Sequence, residues 1–168
     1  MDELSKAREY LVKQKYKEAE EILSKLLAVD KENDEIWYLR GVLSLKLKNY
    51  KKAQECFERA LLIKKKAEYY KMKGMCHFEV YELEDAVESF LAAVEMKPTD
   101  AVSYFFIAMS YMLLDDDRAI EYIRKAREID AKKTKQLLSN FYTLFLERDP
   151  YMTDSQKKRI VEKIKSIE

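Results

Sequence analysis

Glycine and proline are almost missing from this chain, two of each in 168 residues. Sheet proteins turn often and draw on both residues to do so, so the scarcity argues against a sheet fold. Neither sign of charge is in excess. The 32 basic and 31 acidic side chains leave a formal net charge of +1, without the overall basic field of a nucleic-acid binder, and no nucleic-acid partner is expected. Cysteine is limited to Cys56 and Cys76, two isolated thiols that make no disulfide framework. Long hydrophobic runs are lacking as well. The longest apolar stretch, 101–114, is too short to span a bilayer and stops at Asp115, Asp116 and Asp117. Residues 1–10 mix acid and base without an apolar core, unlike a signal peptide. A cytoplasmic location follows as the expectation.

The chemistry-bearing residues are equally sparse. Histidine occurs once, as His77, in a repeat place that holds Tyr10 and Tyr111 elsewhere, which reads as a packing position. Cys76-His77 and the distant Cys56 lack the spacing of a zinc site. Gly41 and Gly74 each stand alone inside helical patterns, so no phosphate loop can be drawn. Glu84-Asp85 falls at a helix start, where carboxylates serve as caps. No catalytic site, metal or cofactor is expected, and the chain is not read as an enzyme.

What the chain does have is internal repetition. Tyr16, Ala19, Leu23 and Leu26 return as Tyr50, Ala53, Phe57 and Ala60 after a shift of 34. They return again as Leu83, Ala86, Phe90 and Ala93, then as Ala119, Ile123 and Ala126, after shifts of 33. Upstream of these, Trp37 and Gly41 recur as Tyr70 and Gly74 and as Tyr104 and Ala108, with Ala7 in the glycine place of the first copy. The pattern reads as antiparallel helix pairs in which small residues permit close backbone approach and large residues one turn on fill the space between. One pair cannot bury both its faces, so pairs stack and share a core.

These residues resemble the tetratricopeptide repeat family. The resemblance rests on Trp37, Gly41, Tyr50, Ala53, Phe57 and Ala60 in the second unit, and on Tyr70, Gly74, Ala86, Phe90, Ala93 and Pro98 in the third. Tyr104, Ala108, Tyr111, Ala119 and Ala126 carry it in the fourth, and Ala7, Tyr10, Tyr16 and Ala19 in the first. It implies an all-α fold, a right-handed superhelical solenoid of four units at about 1–33, 34–66, 67–100 and 101–133. The family's seventh-place leucine is replaced by Lys6, Arg40 and Lys73, whose stems can be buried while the charges stay wet. Helices are predicted near 3–14, 17–29, 34–48, 51–65, 67–80, 83–96, 100–114, 116–129, 132–147 and 154–167. The aspartate run 115–117 and the lysine run 64–66 read as helix punctuation.

Residues 134–168 form an atypical end, predicted as a capping helix pair broken at Arg148-Asp149-Pro150. Thr153 and Gln156 carry the spacing of a capping box, and Ile160, Val161, Ile164 and Ile167 lie on one side of the last helix. The segment reads as a terminal cap over the last repeat, with folding back into the chain's own groove as the alternative. A membrane surface is not expected as partner, because the helix carries Glu162 and Glu168 and no aromatic anchor.

The resemblance implies a concave groove lined by first helices, and a protein-binding scaffold as the function. Its places carry over to Tyr38, Leu39 and Val42 in the second unit and to Lys71, Met72, Met75 and Phe78 in the third. Phe105, Phe106, Met109 and Met112 follow in the fourth, with Tyr142 and Phe145 beyond. Such a surface suits an apolar or amphipathic peptide or helix. It is also open to self-association, as a homodimer or by the chain's own last helix, and tight curvature would instead bury it, most of all at Met109 and Met112. The family's carboxylate clamp requires Lys, Asn and Arg where this chain has Leu4, Arg8, Leu39, Glu68 and Met72, or, one unit on, Tyr38, Val42, Met72, Val102 and Phe106. Peptides with a free C-terminal carboxylate should therefore bind no more tightly than their amides; a tenfold loss on amidation in a fluorescence titration would contradict this.

Overall fold

The computed structural model describes residues 2–147, 149–150 and 152–165, with the side chains of Leu144 and Phe145 outside that set. The expected roles of Phe145, Ile167 and Glu168 fall outside the described residues. Within them the chain forms ten helices and no strand. These are α1 (Glu3–Val12), α2 (Tyr16–Val29), α3 (Asp34–Lys46), α4 (Tyr50–Ile63) and α5 (Ala67–Glu79). They are followed by α6 (Leu83–Met96), α7 (Ala101–Leu113), α8 (Arg118–Ile129), α9 (Ala131–Asn140) and α10 (Asp154–Lys165). None is long and apolar enough to cross a membrane. The predicted helix 132–147 is the one that changes character, since α9 widens into a π-helical segment over Phe141–Leu146. There the Thr143 hydroxyl donates to the Ser139 carbonyl at 2.9 Å. Ser44, Ser110 and Thr134 make the same bond to the carbonyl four residues back inside regular α-helix, so this bond alone does not set the wider turn.

Side-chain acceptors start several helices. Asp2 caps α1 through the Ser5 amide at 2.7 Å, Asn33 caps α3 through Glu35 and Ile36, Asn49 caps α4 through Lys52, and Asp130 caps α9 through Lys133. The predicted capping box forms as read. The Thr153 amide donates to Gln156 Oε1 at 2.9 Å, and the Gln156 amide donates to Thr153 Oγ1 at 3.3 Å.

The chain divides into two compact units, Met1–Met96 and Lys97–Glu168. The first holds the pairs α1/α2, α3/α4 and α5/α6; the second holds α7/α8 followed by α9, the π segment and α10. Four first-to-second-helix turns share one local geometry. Gln14, Lys48, Tyr81 and Asp115 all take a left-handed conformation, with φ between 58° and 62°. The following amide closes back five residues, as in Lys15 to Tyr10 and Asn49 to Ser44, both at 2.8 Å. This is the arrangement that glycine usually serves. Here four side chains accept it, because the helices packed on either side fix the turn.

Within a pair, size matching decides how closely the helices approach. A Cβ added at Gly41 would lie 2.6 Å from the Phe57 ring, and one at Gly74 would lie 3.1 Å from the Phe90 ring. Phe57 and Phe90 are both fully buried and have little room to withdraw. In the units whose second helix carries Leu23 or Ile123 in that place, the small residue is Ala7 or Ala108. Of the basic residues in the family's leucine place, Lys6 is exposed, and Arg40 and Lys73 bury their stems as predicted, though Arg40 Nε is buried without a hydrogen-bond partner among the described residues. Arg40 and Lys73 are largely covered, and their charged ends reach Glu20 at 3.4 Å and Glu58 at 3.0 Å.

Lys66 departs from the punctuation expected of it. It lies beyond the end of α4, at the N-cap of α5, with its ammonium 2.6 Å from Asp34 and 2.8 Å from the Tyr69 hydroxyl, which itself donates to Asp34 at 2.5 Å. The trio ties α3 to α5. Burial acts to raise the Asp34 pKa, but the hydrogen bonds from Lys66 and Tyr69 outweigh it and hold the carboxyl below its ordinary 3.8. The stability this gives is present above the unfolded pKa and is lost as pH falls through the folded one. Asp34→Asn should therefore narrow the gap in melting temperature between pH 7 and pH 3; an unchanged gap would count against the trio. A second expectation concerns Gly41. Gly41→Ala should cost about 1–2 kcal/mol in chemical denaturation, since overpacking exceeds the gain in helix propensity. In a Phe57→Leu background the same change should be neutral or stabilising by up to about 1 kcal/mol, and equal costs in both backgrounds would break the size-matching account.

Candidate functional site

In the first unit the first helices present a half-buried apolar face. Tyr38 stacks on Tyr69 with ring centroids 4.9 Å apart and leans on Phe57 at 6.0 Å. Val42, Leu45 and Met72 pack beside it over the Ala53, Phe57 and Cys76 core. Of the predicted groove residues, Tyr38, Val42, Lys71, Met72 and Met75 keep part of their surface, whereas Leu39 and Phe78 are buried and form the floor. Charge rims this face. Arg8 pairs with Glu35 at 2.8 Å, Lys71 pairs with Glu68 at 2.8 Å, and the Tyr38 hydroxyl lies 3.5 Å from Glu68. Burial first, then the Glu68 charge, push the Tyr38 pKa up to about 12, so the phenol stays a neutral donor throughout the physiological range.

In the second unit the corresponding face of α7 is covered by the chain itself. Phe105, Met109 and Met112 are buried, while Phe106 keeps partial exposure. Phe141 of the π segment meets Phe105 edge-on at 6.3 Å, and Phe106 meets it edge-on at 5.3 Å. Tyr142 is 43% exposed. It opens a cleft of about 240 Å³ with Leu146, Lys157, Lys158 and Val161. The predicted residues of this half therefore separate into a buried set on α7 and an exposed tyrosine on the π segment.

Helix α10 reaches the end of α7. Ile160 is buried, and with Met152 it borders a cleft of about 100 Å³ against Met112 and Leu113. Arg159 pairs with Asp115, and Lys163 pairs with Asp115 at 3.2 Å and Asp117 at 3.0 Å. The aspartate run is thus more than helix punctuation. Asp116 caps locally, accepting the Arg118 amide at 2.9 Å and its guanidinium at 2.6 Å, and its neighbours hold the last helix. Sequence reasoning missed this contact. The signal was present as complementary charge, but the two segments are distant along the chain, with α8, α9 and the π segment between them, and no periodicity links them. Burying Ile160 is worth about 2 kcal/mol, and exposed ion pairs add little each, so α10 is held lightly.

His77 joins a hydrogen-bonded cluster instead of serving only as packing. Its Nδ1 lies 2.6 Å from Glu82 Oε2 and 3.0 Å from the Gln54 amide nitrogen, which also donates to Glu82 at 2.9 Å. The hydrogen bond from His77 is the main reason the Glu82 carboxyl sits below its ordinary pKa. Ligand atoms of His77, Glu82 and Asp85 come within 4.8 Å of one another. Glu82 already receives two donors there, and Lys73 is among the residues that line the adjoining cleft of about 110 Å³.

Comparison with known proteins agrees with the helix pairs. The tetratricopeptide repeat model matches residues 10–76. A TPR repeat-containing protein of Methanocaldococcus jannaschii is 28% identical over 90 residues, covering 54% of this chain and 16% of that protein. The chain thus spans about one-sixth of the length of this curated relative. The crystal structure of MamA superposes with a TM-score of 0.73 at 22% identity, covering 99% of this chain and 96% of that one. YrrB, described as a TPR protein with an unusual peptide-binding site, superposes with a TM-score of 0.71 at 19% identity, covering 99% and 84%. Helix pairs recurring in register, the size-matched contacts of Gly41 with Phe57 and Gly74 with Phe90, and these likenesses converge on tetratricopeptide repeats over residues 10–76 and on the all-α solenoid fold of such proteins.

Proposed function

We propose that this protein is an interaction scaffold whose first-helix face in the unit Met1–Met96 binds an apolar or amphipathic peptide or helix of a partner protein. The observation that carries the reading is the partly exposed set Tyr38, Val42, Met72 and Met75, an apolar strip with charge on its rim. Methionine and aromatic side chains adapt to varied apolar partners at low cost, and the paired charges at the rim set orientation more than affinity. The peptide-binding site of YrrB, a fold neighbour, is in keeping with this use of the fold. The titratable groups described above are accounted for by structural pairs, so the scaffold reading needs no catalytic residue. Residues 134–168 complete the scaffold as an end segment over the fourth pair.

Phe105 is unsuited to testing this face, because its ring is buried and a carboxylate there would disrupt the core. Met72→Glu and Met75→Glu are better placed. Each should leave the melting temperature within a few degrees of the parent and lower capture of the natural partner at least tenfold in quantitative affinity isolation from the native organism. Equal capture by parent and both variants would remove this face from the proposal. A symmetric dimer in sedimentation that dissociates in Met72→Glu would reassign the face to self-association.

A further inference from the structure

The turn between α7 and α8 carries an acidic pair that the turn itself does not need. Three other turns of the same backbone geometry place Gln14, Lys48 and Tyr81 where the fourth has Asp115. Two residues on, they place Tyr16, Tyr50 and Leu83 where the fourth has Asp117. The left-handed position therefore tolerates neutral and basic side chains, and the two carboxylates must be explained by what they contact. That contact is α10. On one face of this helix Ile160 is flanked by Arg159 and Lys163, the pair one helical turn apart. Ile160 enters the cleft beside Met112 and Leu113 while the two cations grip Asp115 and Asp117.

Two features make α10 resemble a bound ligand more than a member of the stack. Among the described residues it packs on no other helix with the close backbone approach seen within the helix pairs. It is also self-contained. The Thr153–Gln156 box starts it, and Asp149 precedes it beside Pro150, accepting the Met152 amide at 3.0 Å through its side chain and Lys157 at 2.8 Å through its carbonyl. A helix with its own cap, attached by side chains alone, can leave and return without unravelling.

We propose that Met112, Leu113, Asp115 and Asp117 form a docking site for basic amphipathic helices of a partner protein, recognised as a cation, an apolar residue, two spacer residues and a second cation, and that α10 fills this site in cis. The inference rests on the scaffold reading but uses different residues from the face in Met1–Met96. The partner helix inserts its apolar residue beside Met112 and exchanges its cations for Arg159 and Lys163. Its apparent affinity is reduced by the fraction of time α10 is seated. Salt weakens both the cis and the trans contact, because the ion pairs are exposed at Asp115 and Arg159.

The test uses the full chain and a fluorescein-labelled peptide of residues 152–165 as probe. In Arg159→Glu/Lys163→Glu the tethered helix can no longer compete, so the probe should bind at least tenfold more tightly than to the parent. Amides of 154–165 should exchange with deuterium at least tenfold faster there while those of α7 and α8 keep their protection. Asp115→Asn/Asp117→Asn should release the helix equally but bind the probe at least tenfold less tightly than the Arg159→Glu/Lys163→Glu chain. The milder Arg159→Gln/Lys163→Gln should fall between the parent and the charge reversal. Equal probe affinity for parent and charge reversal would overturn the inference. So would loss of protection in α7 and α8 together with α10 in both Arg159/Lys163 variants, which would make α10 a structural cap. A parent dimer abolished by Asp115→Asn/Asp117→Asn would overturn the cis arrangement and give the site to a second copy. None of these outcomes touches the Met72 and Met75 test, so failure here and failure of the scaffold reading are separable.

Discussion

The fold depends on a contact seen in the pairs α3/α4 and α5/α6, the closure of a small residue on the first helix against a large one on the second. Its tolerance is narrow. Gly41 leaves no space for a single carbon beside Phe57, and Gly74 only a marginal one beside Phe90. Where the large residue is branched aliphatic, alanine suffices on the other side. The only two glycines of the chain are thus spent inside helices, against their intrinsic propensity, because close approach outweighs that cost. The turns, where glycine would be easiest to place, do without it.

That inversion has a consequence for function. A turn built with glycine carries no side chain, whereas these four turns carry a glutamine, a lysine, a tyrosine and an aspartate at one geometric position. Each projects a different chemistry from the same scaffold. In the fourth the aspartate meets the last helix, and in the third Tyr81 is followed by Glu82, which closes the His77 and Gln54 cluster. The repeat supplies the position and the individual unit supplies its use.

The two halves of the chain treat the same repeat places differently. In the first unit Tyr38, Val42, Met72 and Met75 keep surface, while in the second Phe105, Met109 and Met112 are buried beneath the chain's own π segment and last helix. Periodicity makes these residues equivalent, and it does so correctly for backbone placement. It says nothing about what comes to rest on them. Nor does it show that Lys66, read as the end of one helix, stands at the N-cap position of the next and reaches back past α4 to Asp34 at the start of α3.

The sequence by itself determined the helix pairs, their phase and the likeness to tetratricopeptide repeats. Those follow from spacing and side-chain volume, which are local quantities repeated from pair to pair. Helix limits were legible for the same reason, down to the reciprocal bonds of Thr153 and Gln156. The π segment was not legible, because one widened turn leaves no periodic trace. Tertiary structure alone decided which equivalent faces stay open, and that the acidic run after α7 holds the last helix of the chain. Long-range charge pairing carries no register, so the residues are visible in the sequence and their meeting is not.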